Sequence, residues 1–222
     1  MYTLIGATKS RPLWLLEELG VPFTHLPATP HSEQARTASA SGKIPVLMVD
    51  DTAISDSTAI LTYLADRHGQ FTFPAGTLQR AQQDSLTQMI LDELDAALWT
   101  AARHSIILPE EMRLPAIRDS LKWEFARSID ALMARFKGPF LMGEPMAVPD
   151  IIATQSGVWA MRANFPVENE TFREYVARMR ERAAFIAVDV TSRGVVRVFL
   201  KQLWFEFVPV FHRLQGRLAA QG

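Results

Sequence analysis

The segment at residues 42–60 constrains the fold of this 222-residue chain more than any other. It holds the apolar run Ile44-Pro45-Val46-Leu47, then an acidic turn, and then Ser57 at the head of a second apolar stretch. Proline has no N–H to give to a sheet, so Pro45 indicates the start of a strand rather than its middle. Serine is a favoured N-cap, so a helix is predicted to open at Ser57.

Two backbone features of this segment suit the binding of a small peptide. If the bond before Pro45 is cis, the N–H and C=O of Ile44 turn outward and can pair with an extended ligand. The N–H groups and the dipole at the helix start beside Ser57 attract a carboxylate. The segment therefore predicts one pocket that reads both the backbone and the α-carboxylate of a small peptide.

The neighbouring segments complete an alternating pattern of strands and helices. Strands are predicted at 2–5, 23–26, 45–49 and 52–54, and helices at 12–19 and 57–68, each helix ended by a glycine. Residues 28–41 have the composition of a loop with at most a weak helix. A βαβ unit followed by a ββα unit is typical of an α/β thioredoxin-like domain, which we place at residues 1–69.

The rest of the chain has helical periodicity. Residues 70–77 predict a linker and residues 78–190 an all-α domain. One helix face carries Leu86, Ile90, Leu94, Ala97 and Ala101, and another carries Ile117, Leu121, Phe125, Ile129, Leu132 and Phe136. A third helix, predicted to be buried, opens at Asp150. Its N-cap position is Ala147, whose side chain cannot accept a hydrogen bond. Trp123 and Trp159 are assigned to the core.

Composition argues against several classes of function. The net charge of −1 gives no general attraction to nucleic acid or anionic membranes, so neither is expected as a partner. The histidines have no metal-ligand spacing, so no metal is expected. Without cysteine, the chain forms no disulfide and uses no thiol of its own. No signal peptide or membrane span is evident, so a cytoplasmic location is expected.

The segment described first resembles the glutathione-binding half of the bacterial cytosolic glutathione transferases. The matching residues are Lys43, Ile44, Pro45, Asp56 and Ser57, and the likeness extends over roughly residues 1–190. It implies that Ile44 pairs with the cysteinyl backbone of glutathione. It also implies that Asp56 and Ser57 bind the γ-glutamyl amine and carboxylate, and that Lys43 lies near the glycyl end.

An enzyme of this kind must make the glutathione sulfur a thiolate near neutral pH. The loop Ala7-Thr8-Lys9-Ser10-Arg11 offers two hydroxyls and two cations beside the first helix. We favour the Ser10 hydroxyl as the group that stabilises the thiolate, with Thr8 as the alternative. Ser10 could also serve only as the N-cap of the first helix. Arg11 is expected either to contact glutathione or to be a solvated surface residue.

The resemblance implies a glutathione transferase that conjugates glutathione, its co-substrate, to a hydrophobic electrophile without a further cofactor. Trp99, Arg103 and Ile107 of the helical domain are the residues expected to hold the electrophile. A homodimer is also expected. The alternatives are a non-enzymatic interaction or regulatory protein of the same fold, or another glutathione-dependent reaction such as isomerisation, ether cleavage or disulfide reduction.

An amphipathic, aromatic-rich extension occupies residues 191–222. Leaving so many large apolar side chains in water is unfavourable, so the extension is expected to be ordered. Its first expected position is on the helical domain, over the electrophile site. A dimer partner, the membrane surface and a non-native extension are the alternatives, in that order.

Overall fold

A computed structural model describes residues 1–189 of the chain, and the extension at 191–222 lies outside the described residues. The strands are β1 (Tyr2–Gly6), β2 (Phe23–Pro27), β3 (Val46–Val49) and β4 (Thr52–Ser55). The α-helices are α1 (Arg11–Leu19), α2 (Glu33–Ala38), α3 (Ser57–His68), α4 (Leu78–Met89), α5 (Ala96–Ala102), α6 (Arg118–Met133), α7 (Val148–Arg162) and α8 (Glu170–Arg180). Residues 183–189 are also helical.

The strands form one mixed sheet in the order β2-β1-β3-β4. β1 runs parallel to β2, since α1 connects them, whereas β3 pairs antiparallel with both β1 and β4. Leu4 and Leu47 of the sheet are fully buried in one cluster with Leu16 of α1 and Ile60 of α3. This arrangement, followed by a helical region, confirms the predicted fold class.

The capping and turn residues in the sequence predict the bounds of the helices and strands closely. Helix α3 has the predicted bounds and ends at Gly69, whose φ of 62° is the left-handed conformation that glycine adopts without strain. The weak helix expected within residues 28–41 is the six-residue helix α2. Each strand differs from its predicted bounds by one residue at one end.

Helices α4 and α5 belong to one long helical stretch that includes π-helical turns at Ile90–Asp95 and Arg103–Ile107. All five residues predicted for its inner face are buried. The core assignment of Trp123 is wrong, because this side chain is 60% exposed and the Arg127 guanidinium lies 4.5 Å from its ring centre. Trp123 stands two residues before the buried Phe125, which places it on the opposite side of α6.

Helix α7 begins at a buried carboxylate. One oxygen of Asp150 accepts the Leu141 N–H at 2.9 Å and the Tyr175 hydroxyl at 2.8 Å, and the other accepts the Ala147 N–H at 2.9 Å. As predicted, Ala147 gives no side-chain cap. Burial raises the pKa of Asp150, while these three donors act against the rise. Burial and then the neighbouring carboxylate raise the pKa of Tyr175, so its hydroxyl remains a donor.

Asp150→Ala should lower the free energy of unfolding by about 3 kcal/mol or more, because two N–H groups and a hydroxyl lose their buried acceptor. Urea unfolding measures this loss. Tyr175→Phe is the matched control: it removes one donor and leaves the other two paired, so a loss of about 1 kcal/mol is expected. Equal losses in the two variants would contradict the role assigned to the carboxylate.

Candidate functional site

Three loops meet at one end of the sheet. Ile5 of β1 pairs with Val46 of β3, and Val46 pairs in turn with Ser55 of β4. β1 and β4 therefore end where β3 begins. The topology brings together the loop after β1, the Ile44–Pro45 pair before β3 and the Asp56–Ser57 turn after β4, three segments that the sequence assigned to one site.

The Ile44–Pro45 peptide bond is cis. Gly6 supports it from behind, since a Cβ built on Gly6 would lie 3.2 Å from Pro45 Cα, tighter than an ordinary contact. Ile44 is half-buried, and within residues 1–189 no hydrogen bond to its main-chain groups is found. These groups are therefore open to an extended ligand.

Helix α3 is capped by Asp56, and the prediction that Ser57 is its N-cap is wrong. One oxygen of Asp56 accepts the N–H groups of Thr58 at 2.8 Å and of Ala59 at 3.1 Å. The chain enters the helix at a φ of 76°, a conformation that aspartate tolerates better than most residues. Ser57 is the first helical residue, and in the described structure its hydroxyl has no partner.

The two hydroxyls of the loop after β1 differ in their surroundings. Ser10 is 8% exposed, and its hydroxyl accepts the Leu13 N–H at 3.4 Å as the N-cap of α1. Thr8 is half-buried, and no partner for its hydroxyl is found in the described part of the chain. Ser10 is therefore placed as a cap, and Thr8 has the more available hydroxyl.

Arg11 links the sheet domain to the helical region. Its guanidinium donates to both carboxylate oxygens of Asp95 and to the Ser156 hydroxyl. The Arg11 and Asp95 side chains are only 11% and 14% exposed, so the ion pair is largely removed from water. The structure thus commits Arg11 to a contact between the two parts of the chain.

Lys43 lies in the loop before β3, with an exposed side chain. Its main-chain N–H donates to the Ser41 hydroxyl at 3.3 Å, which fixes the backbone next to Ile44. No ion pair to Lys43 is found within residues 1–189, so its ammonium group can reach a ligand carboxylate.

A cavity of about 270 Å³ lies between α1 and α7. The loop after β1, α1, the second half of α7 and residues 183–189 form its walls. Trp14, Trp159 and Phe185 supply aromatic surface, and Lys9, Arg162 and Asp189 supply charge. Trp14 and Phe185 meet edge to face, with ring centres 5.0 Å apart. Because Lys9 directly follows Thr8, the cavity adjoins the end of the sheet.

The three residues predicted to hold an electrophile do not line this cavity. Trp99 is 51% exposed and meets the wall residue Trp159 edge to face at 5.5 Å between ring centres. The Arg103 guanidinium donates to the Thr100 hydroxyl at 3.0 Å, and Ile107 is 53% exposed. The sequence analysis missed the wall residues of α7, because Trp159 was assigned to the core although it is half-buried and faces the cavity.

Two other features are absent from the described range 1–189. It contains no group of three or more His, Asp or Glu side chains placed to hold a metal ion. None of its helices combines the length and the apolar character needed to cross a membrane.

Comparison with known proteins shows which of them share this fold. Residues 7–72 match the family model of the glutathione S-transferase N-terminal domain. The fold is similar to that of the glutathione transferase URE2P6 from Phanerochaete chrysosporium, which was solved in complex with oxidized glutathione. The TM-score is 0.75 and the sequence identity 20%, and the match covers 87% of this chain and 97% of that one. A glutathione transferase from Methylococcus capsulatus gives a TM-score of 0.74 at 21% identity over 86% and 98%.

A curated relative points in another direction. The chain is 30% identical over 135 residues to elongation factor 1-gamma from Trypanosoma cruzi. The match covers 60% of this chain, which spans about a third (32%) of the length of that protein. The chain is therefore similar both to proteins named as glutathione transferases and to a protein named as an elongation factor.

Asp56→Ala should lower the free energy of unfolding by about 1 kcal/mol or more, because α3 loses its N-cap. Asp56→Asn should stay within about 0.5 kcal/mol of the unmodified chain, since asparagine also caps and tolerates positive φ. Ser57→Ala is the neighbouring control and should be nearly neutral. Chemical denaturation measures all three, and a greater loss in Ser57→Ala than in Asp56→Ala would refute the cap assignment.

Proposed function

We propose that this chain, which has the fold of the glutathione transferases, binds glutathione at the end of its sheet and activates the thiol for attack on an electrophile. The observation that supports this is the convergence of Thr8, Ile44 and Ser57 at one end of the sheet, where the loop that carries Thr8 continues into the wall of a cavity with aromatic surface. Each of them offers a polar group that is unpaired within residues 1–189. Holding thiol and electrophile side by side replaces a random encounter with a positioned one, which can supply much of the rate.

Each part of glutathione has a complementary group. The main chain of Ile44 pairs with the cysteinyl backbone, as one strand pairs with another. The Ser57 hydroxyl and the start of α3 bind the γ-glutamyl carboxylate. One oxygen of Asp56 caps the helix, which leaves the other for the γ-glutamyl ammonium. Lys43 binds the glycyl carboxylate.

In this proposal Thr8, rather than Ser10, donates to the glutathione sulfur. A free thiol has a pKa of about 8.5, and each unit of depression corresponds to about 1.4 kcal/mol. A hydrogen bond to a charged group contributes about 1.5–3 kcal/mol, enough to bring the thiol pKa to about 6.3–7.4. The Ser10 hydroxyl is buried and already serves α1, whereas Thr8 is half-buried and carries no such role.

Thr8→Val should raise the pKa of bound glutathione by about one unit, because the thiolate loses a charged hydrogen bond while the side chain keeps its shape. Turnover at neutral pH should fall about tenfold. Ser10→Ala should leave that pKa unchanged and lower the free energy of unfolding by about 1 kcal/mol. The ultraviolet absorbance of the thiolate as a function of pH measures the pKa of bound glutathione. A pKa rise in Ser10→Ala alone would transfer the role to Ser10.

Ser57→Ala should weaken glutathione binding about tenfold, since the γ-glutamyl carboxylate loses a charged hydrogen bond. Asp56→Asn should weaken binding as well, because the ammonium loses its counter-charge while the cap is kept. Calorimetry gives both affinities. Glu33→Gln, on the exposed side of α2, is the control for loss of a carboxylate from the protein surface. Unchanged affinity in Ser57→Ala would refute the site assigned to the γ-glutamyl carboxylate.

The second candidate function is a non-enzymatic interaction domain of the same fold. The match to elongation factor 1-gamma favours it. Retention on a glutathione resin followed by the thiolate titration separates the two: an interaction domain needs no lowered thiol pKa. Homodimerisation stays a prediction under either function.

A further inference from the structure

We infer that the cavity between α1 and α7 takes an electrophile that carries a negative charge, and that Arg162 binds this charge. As a statement about the second substrate, the inference rests on the proposed function and adds the chemical class of that substrate. It is carried by the charge balance, the shape and the position of the cavity wall.

The wall holds more positive than negative charge. Arg11 is balanced by Asp95. Lys9 and Arg162 both approach Asp189, with N···O distances of 2.5 Å and 3.9 Å. The second distance exceeds that of a hydrogen bond, so the Arg162 guanidinium keeps donors for another acceptor. Two cations against this one carboxylate leave an excess positive charge on the wall.

Within residues 1–189, the other charges near the cavity do not cancel this excess. Arg182 donates to both oxygens of Glu18, at 2.6 and 2.8 Å, and Glu18 also accepts the Trp14 indole N–H at 2.8 Å. Arg162 lies in the last turn of α7, where its charge complements the helix dipole. That dipole amounts to about half a charge spread over several carbonyls, so Arg162 still attracts an anion.

The apolar walls suit an aromatic ring. Arg162 follows Trp159 by three residues on one face of α7, so a ring packed on Trp159 brings its substituent close to the guanidinium. The Trp159 ring is itself supported edge to face by Trp99. The cavity volume of about 270 Å³ lies at the small end of ligand pockets, which favours one substituted ring.

Chlorodinitrobenzoate is a probe with the inferred features, and its methyl ester is the uncharged match. The glutathione thiolate attacks the ring carbon that bears chlorine, a C–S bond forms, the C–Cl bond breaks, and chloride leaves with the bonding pair. The thiol proton has already passed to solvent. The step needs no other reactant.

The first arm compares kcat/KM for the two probes. Relative to the uncatalysed rate of each probe with glutathione, the unmodified chain should prefer the carboxylate. Arg162→Gln should lower kcat/KM for the carboxylate several-fold while leaving the ester unchanged, as expected for loss of one charged contact at a side chain that is 59% exposed. Asp189→Asn should shift the preference further towards the carboxylate, because it removes the negative charge. Arg127→Gln, on α6 away from the cavity, should change neither value.

The second arm measures binding of dinitrobenzoate and its methyl ester, which have no leaving group, by calorimetry. The anion site is supported if dinitrobenzoate binds more tightly than its ester and this difference disappears in Arg162→Gln. If that result is obtained but no conjugation occurs, the proposed function fails and the anion site stands. Equal binding of acid and ester, no binding of either, or full carboxylate affinity in Arg162→Gln overturns the inference.

Discussion

The ion pair between Arg11 and Asp95 sets how the sheet domain meets the helical region. Both side chains are largely buried, and removing one partner of such a pair leaves an uncompensated charge at a cost of about 3–5 kcal/mol. The Ser156 hydroxyl joins them by accepting from Arg11 and donating to Asp95. Arg11 opens α1, Asp95 closes a π-helical turn, and Ser156 lies on α7. One contact therefore positions the three elements around the cavity.

The loop after β1 depends on this contact because it ends at Arg11. Its successive side chains are used differently: Lys9 pairs with Asp189 across the cavity, and Ser10 caps α1. Thr8 is the member of this run whose hydroxyl is unpaired within the described residues. These anchors after Thr8, together with β1, which ends at Gly6 before it, hold the Thr8 backbone, so its hydroxyl can be aimed at a ligand with little loss of conformational freedom.

Sequence reasoning succeeded where the deciding interactions are local. The bounds of α3 follow from a capping segment and Gly69, and the buried start of α7 follows from Asp150 three residues after Ala147. It placed the cap of α3 one residue too late, because choosing between neighbouring polar residues requires the backbone conformation of Asp56. It missed the cavity, whose charged members Lys9 and Asp189 lie 180 residues apart in the chain and meet only through packing. Trp159 was read as core because helical periodicity does not show where packing leaves a gap.

A structural role for a side chain reduces what its presence says about a ligand. Asp56 and Ser10 each cap a helix, and Arg11 joins two parts of the fold, so each is explained without glutathione. The proposed chemistry therefore depends on Thr8, Ser57 and Arg162. Their polar groups are either unpaired or only loosely paired in the described structure, and Arg162 lines the cavity. An interaction domain would need the helix caps and the ion pair but none of these three groups, so variants of the three test the proposed glutathione chemistry without testing the fold.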